Sequence, residues 1–153
     1  MTSIGDRVRL RSERRLRGVV VIPGSVTGKL MASKEPLSFW GGYDIESGEI
    51  IDRKHQLSGK IARGSILAIP GTKGSSTTTA VLLEALIKGT APLAILTRGV
   101  DSFLALALVV AEEMYSKSIP LIALGSEEFL SLESGSNVRL EEDGTILVET
   151  LRQ

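Results

Sequence analysis

Residues 70–80 read Pro-Gly-Thr-Lys-Gly-Ser-Ser-Thr-Thr-Thr-Ala, and they stand between an apolar run at 66–69 and an amphipathic run at 81–87. The apolar run followed by glycine predicts a strand that ends in a turn, and the spacing of the later apolar residues predicts a helix. The first N–H groups of a helix lack intrahelical partners, so such a turn can bind an anion or hold a serine oxygen as an anion. Few other groups in the chain can do chemistry, which makes this turn the first candidate for a functional site.

The chain around this turn alternates between strand and helix patterns. Three strands enclose two helices, and the predicted bounds in chain order are 64–69, 75–88, 92–97, 102–115 and 120–125. Gly89 is expected to stop the first helix. Alternation of this kind is typical of parallel strands joined by right-handed crossovers, so the middle of the chain is predicted to be a parallel β-α-β-α-β segment.

The flanking regions are predicted to be mostly strand and loop. The predicted strands are 7–11, a buried strand at 17–22, 29–33 and a short 49–52, with loops at 24–28 and 34–48. A short helix is predicted at 127–132, and a hairpin pairs 137–140 with 145–148 around Glu142-Asp-Gly144.

Together these patterns predict an α/β fold with β/β/α layers, in which a mostly antiparallel β layer adds to the parallel segment. The length suits a single domain over residues 1–153, with 1–14 and 151–153 expected to be peripheral.

Composition excludes several classes of function. Eighteen basic residues balance eighteen acidic ones, so nothing indicates general binding of nucleic acid. The chain has no cysteine, which excludes disulfides and any cysteine-ligated zinc or iron–sulfur site within it. No apolar run reaches the roughly 18 residues of a membrane span, and the start lacks a signal-peptide core. These features predict a cytoplasmic protein without a membrane segment.

The serines of the 70–80 turn allow two interpretations. In the structural one, Ser75 or Ser76 caps the helix by accepting a backbone N–H, which stabilises it by about 1 kcal/mol. In the functional one, a hydroxyl points into a cleft, where the helix N-terminus and Lys73 favour its deprotonated form. The turn is not a Walker A motif, because Lys73 precedes Gly74 instead of following it.

A second group of residues lies in a glycine-rich stretch that holds the only tryptophan and the only histidine. Such a loop can form the wall of a binding site, or it can be a packed loop with Trp40 as a hydrophobic plug. Asp52 and His55 are three residues apart, too few donors for a metal site, so no metal site is predicted. The residues considered for a site wall or an interface are Trp40, Gly41, Gly42, Asp44, Asp52 and His55.

Several segments, taken in order, resemble the aconitase X swivel domain. They are Pro36-Leu-Ser-Phe-Trp-Gly-Gly-Tyr-Asp44, Ser47-Gly-Glu-Ile-Ile-Asp52, His55 with Gly59, Pro70-Gly-Thr-Lys-Gly-Ser-Ser-Thr77, Ala91–Ile95 and Ala111–Pro120. The resemblance spans roughly residues 15–125, and the combination is far more specific than any one motif. It implies a swivelling β/β/α fold and a role as the small-subunit portion of a hydro-lyase, a dehydratase.

The resemblance also assigns site residues. Gly74-Ser75-Ser76 matches the Gly-Ser-Ser turn of the family, which implies that Ser75 is the base that abstracts a proton next to a carboxylate. Lys73, Gly74, Ser76 and Thr77 would then bind the substrate. Aconitase proper has an arginine after its serines, whereas this chain has Thr77. The cation for a substrate carboxylate is therefore expected from Lys73 or from a large subunit.

The absence of cysteine sets what a partner must supply. The resemblance implies an iron–sulfur cluster, which in aconitase-like enzymes is bound through cysteines of the large part and assists departure of the hydroxyl. If the chain is half of such a dehydratase, it binds no cofactor alone, and the cluster must lie in a cysteine-containing large subunit. Without that subunit the chain is expected to be inactive. As the resemblance implies, the activities of the family include dehydration of cis-3-hydroxy-L-proline and of mevalonate 5-phosphate. The stretch Lys73-Gly-Ser-Ser-Thr-Thr-Thr79 resembles the bacterial hydroxyproline-type proteins more closely, so cis-3-hydroxy-L-proline or a related hydroxy acid is the expected substrate and mevalonate 5-phosphate the alternative.

Two other classes remain open. One is a phosphohistidine carrier using His55, although the sequence around His55 lacks the expected context. The other is a non-catalytic binding module, in which Ser75 and Ser76 only cap a helix.

Overall fold

The computed structural model describes residues 10–74 and 77–152, which form eight strands and four helices. The strands are β1 (Leu10–Arg17), β2 (Val19–Ile22), β3 (Val26–Ala32), β4 (Ile66–Ala68), β5 (Ala94–Arg98), β6 (Leu121–Leu124), β7 (Asn137–Leu140) and β8 (Thr145–Arg152). The helices are α1 (Phe39–Gly42), α2 (Thr77–Lys88), α3 (Ser102–Tyr115) and α4 (Ser126–Leu130). The shortest, α1, is irregular, because Trp40 and Gly41 have non-helical backbone angles.

All eight strands join one mixed sheet, in the order β1-β8-β7-β3-β4-β5-β6-β2. The four central strands, β3 to β6, are parallel to one another. Antiparallel strands extend this centre on both sides, with β7, β8 and β1 beyond β3 and β2 beyond β6. The predicted combination of a parallel segment with antiparallel strands is thus confirmed.

Two hydrophobic cores lie on opposite faces of the parallel strands. Leu67 and Ile95 face α2 and α3, whereas their neighbours Ile66 and Leu96 face the other way, as the period of two along a strand requires. The second core also contains residues of β7 and β8, so the antiparallel part of the sheet folds across the face that the helices leave uncovered. The result is a layered β/β/α domain.

A glycine corner links the two ends of the strand order. Gly18 connects β1 to β2, and its N–H donates to the carbonyl oxygen of Gly144 over 3.0 Å. A Cβ at Gly18 would lie 2.4 Å from Ile122 Cγ2, and one at Gly144 would lie 2.6 Å from Gly18 O. Only glycine lets the two backbones approach this closely, so this pair closes the sheet into a half-barrel.

Within the described residues, both helices of the β-α-β-α-β segment agree with the sequence prediction; the predicted start of α2 at residue 75 lies outside them. The observed bounds of α3 are the predicted ones, and α2 ends at Lys88, directly before Gly89 with φ at +76°. No helix within the described residues combines the length and the apolar character needed to cross a membrane.

Four strands differ from prediction for reasons that lie outside the local sequence. The strand predicted at 7–11 is replaced by β1, whose described residues run from Leu10 to Arg17; residues 7–9 lie outside the described part of the chain. The strand expected to be buried at 17–22 begins at Val19, which is 65% exposed because β2 is an edge strand. The loop expected at 24–28 belongs partly to β3, where Gly28 gives room to Leu93; a Cβ there would lie 2.8 Å from Leu93 Cδ1. The strand expected at 49–52 is reduced to isolated bridges from Glu49 and Ile50.

The strands also reach into the two segments that were expected to be peripheral. Leu10 pairs with Arg152, and the pairing of β1 with β8 continues from there to Arg17 and Thr145. Residues 1–9 and Gln153 lie outside the described residues.

Candidate functional site

The described part of the turn, residues 70–74, lies at the carboxyl edge of the parallel strands. It follows β4, and its backbone is tied to the end of the neighbouring strand β5, because Arg98 N–H donates to Pro70 O over 3.2 Å. In open α/β sheets, ligands bind at this edge. The fold therefore places the turn where a binding site is expected.

The Pro36–Tyr43 segment holds one side of the turn. Leu37 N–H donates to Gly71 O, and Lys73 N–H donates to Leu37 O, each over 3.2 Å. A Cβ built at Gly74 would lie 3.7 Å from Ser38 Oγ. The structure thus brings together the two stretches that the sequence singled out separately.

The carboxylate of Asp101 holds the other side of the turn. Its Oδ2 accepts from Thr72 N–H over 2.7 Å and from Thr72 Oγ1 over 2.8 Å. Its Oδ1 accepts from the N–H groups of Phe103 and Leu104, each over 3.0 Å, and so caps α3.

Gly74 closes the described part of the turn. Its φ is +107°, a conformation that side chains with a Cβ rarely adopt. Lys73 and Gly74 are exposed, and α2 begins at Thr77. Ser75 and Ser76 lie outside the described residues, so their proposed roles stay predictions.

Trp40 does not plug the protein interior. It is 70% exposed, and the next residue, Gly41, has φ at +76° and is also exposed. Phe39 is buried in its place, with its ring 5.2 Å from the ring of Tyr43. The packed-loop interpretation is therefore wrong for Trp40, which stands exposed on the segment beside the turn.

Asp44 lies away from the turn, near the opposite end of α2. It is followed by Ile45, whose carbonyl accepts from Thr90 Oγ1 over 2.6 Å, just beyond the end of the helix. The twelve residues of α2 span about 18 Å. The Asp44 carboxylate accepts hydrogen bonds from Glu46 N–H and Ser47 Oγ and so organises a tight turn. These hydrogen bonds lower the pKa of Asp44.

Asp52 and His55 have structural partners. Asp52 Oδ1 accepts from Lys54 N–H over 3.0 Å, and its Cβ lies 3.6 Å from a Cβ built at Gly42. His55 is 6% exposed; its Nδ1 accepts from Leu57 N–H, and its Nε2 lies 3.2 Å from Glu35 O. Both ring nitrogens therefore have a backbone partner, and neither is free for a ligand.

Within residues 10–74 and 77–152, no three histidine, aspartate or glutamate side chains are grouped so that they could hold a metal ion. A cysteine-ligated cluster does not fit this chain either, because the sequence contains no cysteine.

Sequence reasoning missed Asp101 as part of the site. Its place before a predicted helix was a signal for a cap. Its bonds to Thr72 depend on β4 and β5 being adjacent, so that the loops after both strands meet at one edge. Periodicity along the chain carries no information on that pairing.

The fold and the turn together define a class of protein, a layered β/β/α domain that presents a glycine- and hydroxyl-rich turn at the carboxyl edge of its parallel strands. The family model of the aconitase X swivel domain matches residues 15–148, and the chain belongs to that family.

Known relatives include enzymes of two kinds. The chain is 47% identical over 122 residues to cis-3-hydroxy-L-proline dehydratase of Pseudomonas aeruginosa, a match that covers 80% of this chain and 21% of that enzyme. It is 36% identical over 125 residues to the phosphomevalonate dehydratase small subunit of Methanothermobacter thermautotrophicus, covering 81% of this chain and 91% of that subunit. The chain thus spans about a fifth of the length of the hydroxyproline enzymes it matches.

A solved structure is similar over most of the chain. The crystal structure of Thermococcus kodakaraensis aconitase X in its holo-form superimposes with a TM-score of 0.77 at 28% identity, covering 88% of this chain and 98% of that one.

Proposed function

We propose that this chain is the swivel component of an aconitase X-type dehydratase and contributes Ser75 as the base. The observation that carries the proposal is the geometry of the turn before Ser75, which Leu37 and Asp101 hold from two sides at the carboxyl edge of the sheet. Membership of the aconitase X swivel family supports the reaction class.

Each residue of the turn has a proposed role. Ser75 Oγ takes the proton from the carbon next to the substrate carboxylate, and the C–H electron pair forms the double bond as the hydroxyl leaves. Lys73, Gly74, Ser76 and Thr77 bind the carboxylate or stabilise the serine oxygen through charge, N–H groups and hydroxyls. Trp40, exposed on the adjacent segment, forms part of the wall of the site or of the interface with the partner.

The remaining chemistry belongs to a partner. An iron–sulfur cluster in a cysteine-containing large subunit would supply the Lewis acid for the departing hydroxyl, and the chain is inactive without that subunit. This chain binds no cofactor alone, and its own part is restricted to substrate binding and proton abstraction. The complex is proposed to be a cytoplasmic heterodimer.

The preferred substrate is cis-3-hydroxy-L-proline or a related hydroxy acid. The higher identity to the hydroxyproline dehydratase, 47% against 36% for the phosphomevalonate subunit, supports this choice. A phosphorylated substrate would need a further cationic site. Lys73 is the one cationic residue of the 70–80 sequence, and a single lysine is a weak basis for such a site.

The test begins with the assembled complex. It is purified from the native source under exclusion of oxygen, with this chain as the affinity-tagged component. We expect a cysteine-containing partner, a brown chromophore and dehydration of cis-3-hydroxy-L-proline in preference to mevalonate 5-phosphate. The reverse preference would replace the substrate and keep the reaction class. A colourless chain without a partner and without activity towards either compound would refute the proposal.

Substitution of Ser75 tests the base directly. Ser75→Ala should leave the complex assembled and reduce kcat by roughly 10²- to 10⁴-fold, as loss of a positioned base does. Ser126→Ala is the matched control, because Ser126 is an exposed serine at the start of α4. Near-normal turnover in Ser75→Ala would eliminate Ser75 as the base and favour a capping role.

A further inference from the structure

The carboxylate of Asp101 joins two elements that are distant in sequence. One oxygen accepts two hydrogen bonds from Thr72 at the candidate turn, and the other accepts two from the first turn of α3. The side chain is half-buried, and the two bonds to Thr72 are short, at 2.7 and 2.8 Å. Hydrogen bonds to an ionised acceptor are stronger than neutral ones, so this carboxylate is a firm link.

The turn is shaped to receive this carboxylate. A Cβ added to Gly71 would lie 3.2 Å from Asp101 Oδ2, tighter than ordinary contact, so the glycine allows the close approach. The other described ties of residues 70–74 run between backbone atoms of Leu37, Gly71, Lys73, Pro70 and Arg98. Among these contacts, only the one made by Asp101 depends on a side chain, so a substitution at Asp101 is the change that would loosen the turn.

We propose that Asp101 is a positioning residue for the dehydratase reaction, holding Thr72 so that the turn from Gly71 through Gly74 delivers Ser75 to the substrate. This rests on the function proposed above. Asp101 does not touch the substrate; it acts through Thr72 and the two residues, Lys73 and Gly74, that separate Thr72 from Ser75. Displacement of a reacting group by about 1 Å can lower a rate by about 10²-fold, which sets the expected size of the effect.

An asparagine at position 101 would distinguish the two roles of this side chain, the hydrogen bonds to Thr72 and the N-terminal cap of α3. Asn caps a helix about as well as Asp, so the bonds to Phe103 and Leu104 can persist. The amide then turns its NH₂ group towards Thr72, where it meets the N–H donor that Oδ2 had accepted. The Thr72 hydroxyl can reverse and accept from that NH₂ group, but the bond from Thr72 N–H has no replacement. Asp101→Asn thus keeps the fold and loosens the link to the turn.

The first measurement uses the assembled complex with its substrate. Asp101→Asn should lower kcat by roughly 10- to 100-fold while KM stays within about threefold, because a displaced base affects the chemical step more than binding. The matched control is Asp143→Asn, since Asp143 also accepts a threonine N–H, that of Thr145 over 2.9 Å, but in the β7–β8 turn. The control should keep its turnover.

The second measurement does not depend on activity. Backbone amide exchange at Thr72, Lys73 and Gly74 in the full chain should become about tenfold faster in Asp101→Asn and stay unchanged in Asp143→Asn. Thr72→Val, which removes one bond and leaves the α3 cap intact, should give a smaller change of the same kind, and Thr72→Ser should restore the native behaviour. If Asp101→Asn does not fold, Thr72→Val tests the positioning role in its place, by the same exchange and turnover measurements.

The outcomes separate this inference from the proposed function. Unchanged exchange at 72–74 in Asp101→Asn, or unchanged kcat despite faster exchange, would overturn the positioning role. A wild-type complex that dehydrates neither substrate would instead refute the proposed function, while the exchange data would still decide whether Asp101 fixes the turn.

Discussion

Tyr43 shows how one buried hydroxyl ties the segment beside the turn to the end of α2. Its ring is buried against Phe39, and its hydroxyl donates to Thr90 O over 2.7 Å. Burial raises the pKa of Tyr43, because the phenolate would lose its hydration. The group is therefore a source of stability that depends on pH.

Tyr43→Phe should lower the free energy of unfolding by about 0.5–1.5 kcal/mol at neutral pH, the usual net contribution of a hydrogen bond. In the unfolded chain a tyrosine ionises near pH ~10. Since the folded pKa is raised, the contribution of Tyr43 is complete below that pH and is lost as the pH rises above it. The difference between wild type and Tyr43→Phe should therefore shrink in urea denaturation series from pH 8 to 11.

Tyr115→Phe is the control for this pH series, because it removes an exposed hydroxyl from α3. It should change the free energy of unfolding little at neutral pH. If the difference in unfolding free energy between wild type and Tyr43→Phe stays constant up to pH 11, the pH-dependent contribution of Tyr43 is contradicted.

The two long helices end in the same left-handed conformation with different residues. After α2, Gly89 has φ at +76°, and Thr90 N–H donates back to Ala85 O over 2.9 Å. After α3, Ser116 has φ at +53°, with its N–H directed to the carbonyls of Ala111 and Glu112. Such a C-cap favours glycine, because a Cβ is strained there.

Substitutions at these two caps should act in opposite directions. Gly89→Ala should cost about 1 kcal/mol of unfolding free energy, from backbone strain alone, because no other atom lies within 4 Å of the added Cβ. Ser116→Gly should stabilise the protein by about 0.5 kcal/mol, the relief of strain being offset in part by the entropy of glycine. Guanidinium denaturation at neutral pH measures both, and shifts of equal sign would contradict the geometry of the caps.

The folding of the sheet across itself depends on the approach of Gly18 and Gly144. The N–H of Gly18 donates to the Gly144 carbonyl at the tip of the β7–β8 hairpin. The neighbouring residue Asp143 accepts hydrogen bonds from Thr145, and these bonds lower the pKa of Asp143. The contact ties the corner between β1 and β2 to the hairpin and brings the antiparallel layer over the second core.

Gly144→Ala should therefore destabilise the whole domain more than backbone strain alone explains. The matched control is Gly135→Ala, because Gly135 has nearly the same φ, +91° against +93°, and no atom within 4 Å of an added Cβ. We expect a loss of about 1–2 kcal/mol at Gly135 from strain, and a further 1–3 kcal/mol at Gly144 from overpacking against Gly18 O. Equal losses at the two positions would show that the corner tolerates a methyl group.

The sequence predicts this architecture where the signals are local. The bounds of α3 follow from Asp101 before it and from its apolar period, and the end of α2 follows from Gly89. The edge position of β2 and the extension of β3 through Gly28 depend on strands far away in the chain, so no local pattern reveals them.

The candidate site divides in the same way. The strand-to-helix turn is visible in residues 66–87, and the choice of Ser75 rests on the family resemblance. The backbone of Leu37 and the side chain of Asp101 frame the turn, and only the tertiary structure brings these two residues together. Asp44 stood close to Trp40 in sequence, yet the chain carries it towards the opposite end of α2.

The pairing of β1 with β8 has a mechanical consequence. Leu10 and Arg152 are register partners, so polypeptide attached before β1 and after β8 would leave the domain at one corner. Antiparallel hydrogen bonds lie across the strands, and a pull on both attachments would load them one pair at a time, as in a zipper, instead of shearing them together. Under tension the outermost strand would peel away first, from Leu10 towards the Gly18 corner, while the parallel strands that carry the turn kept their pairing.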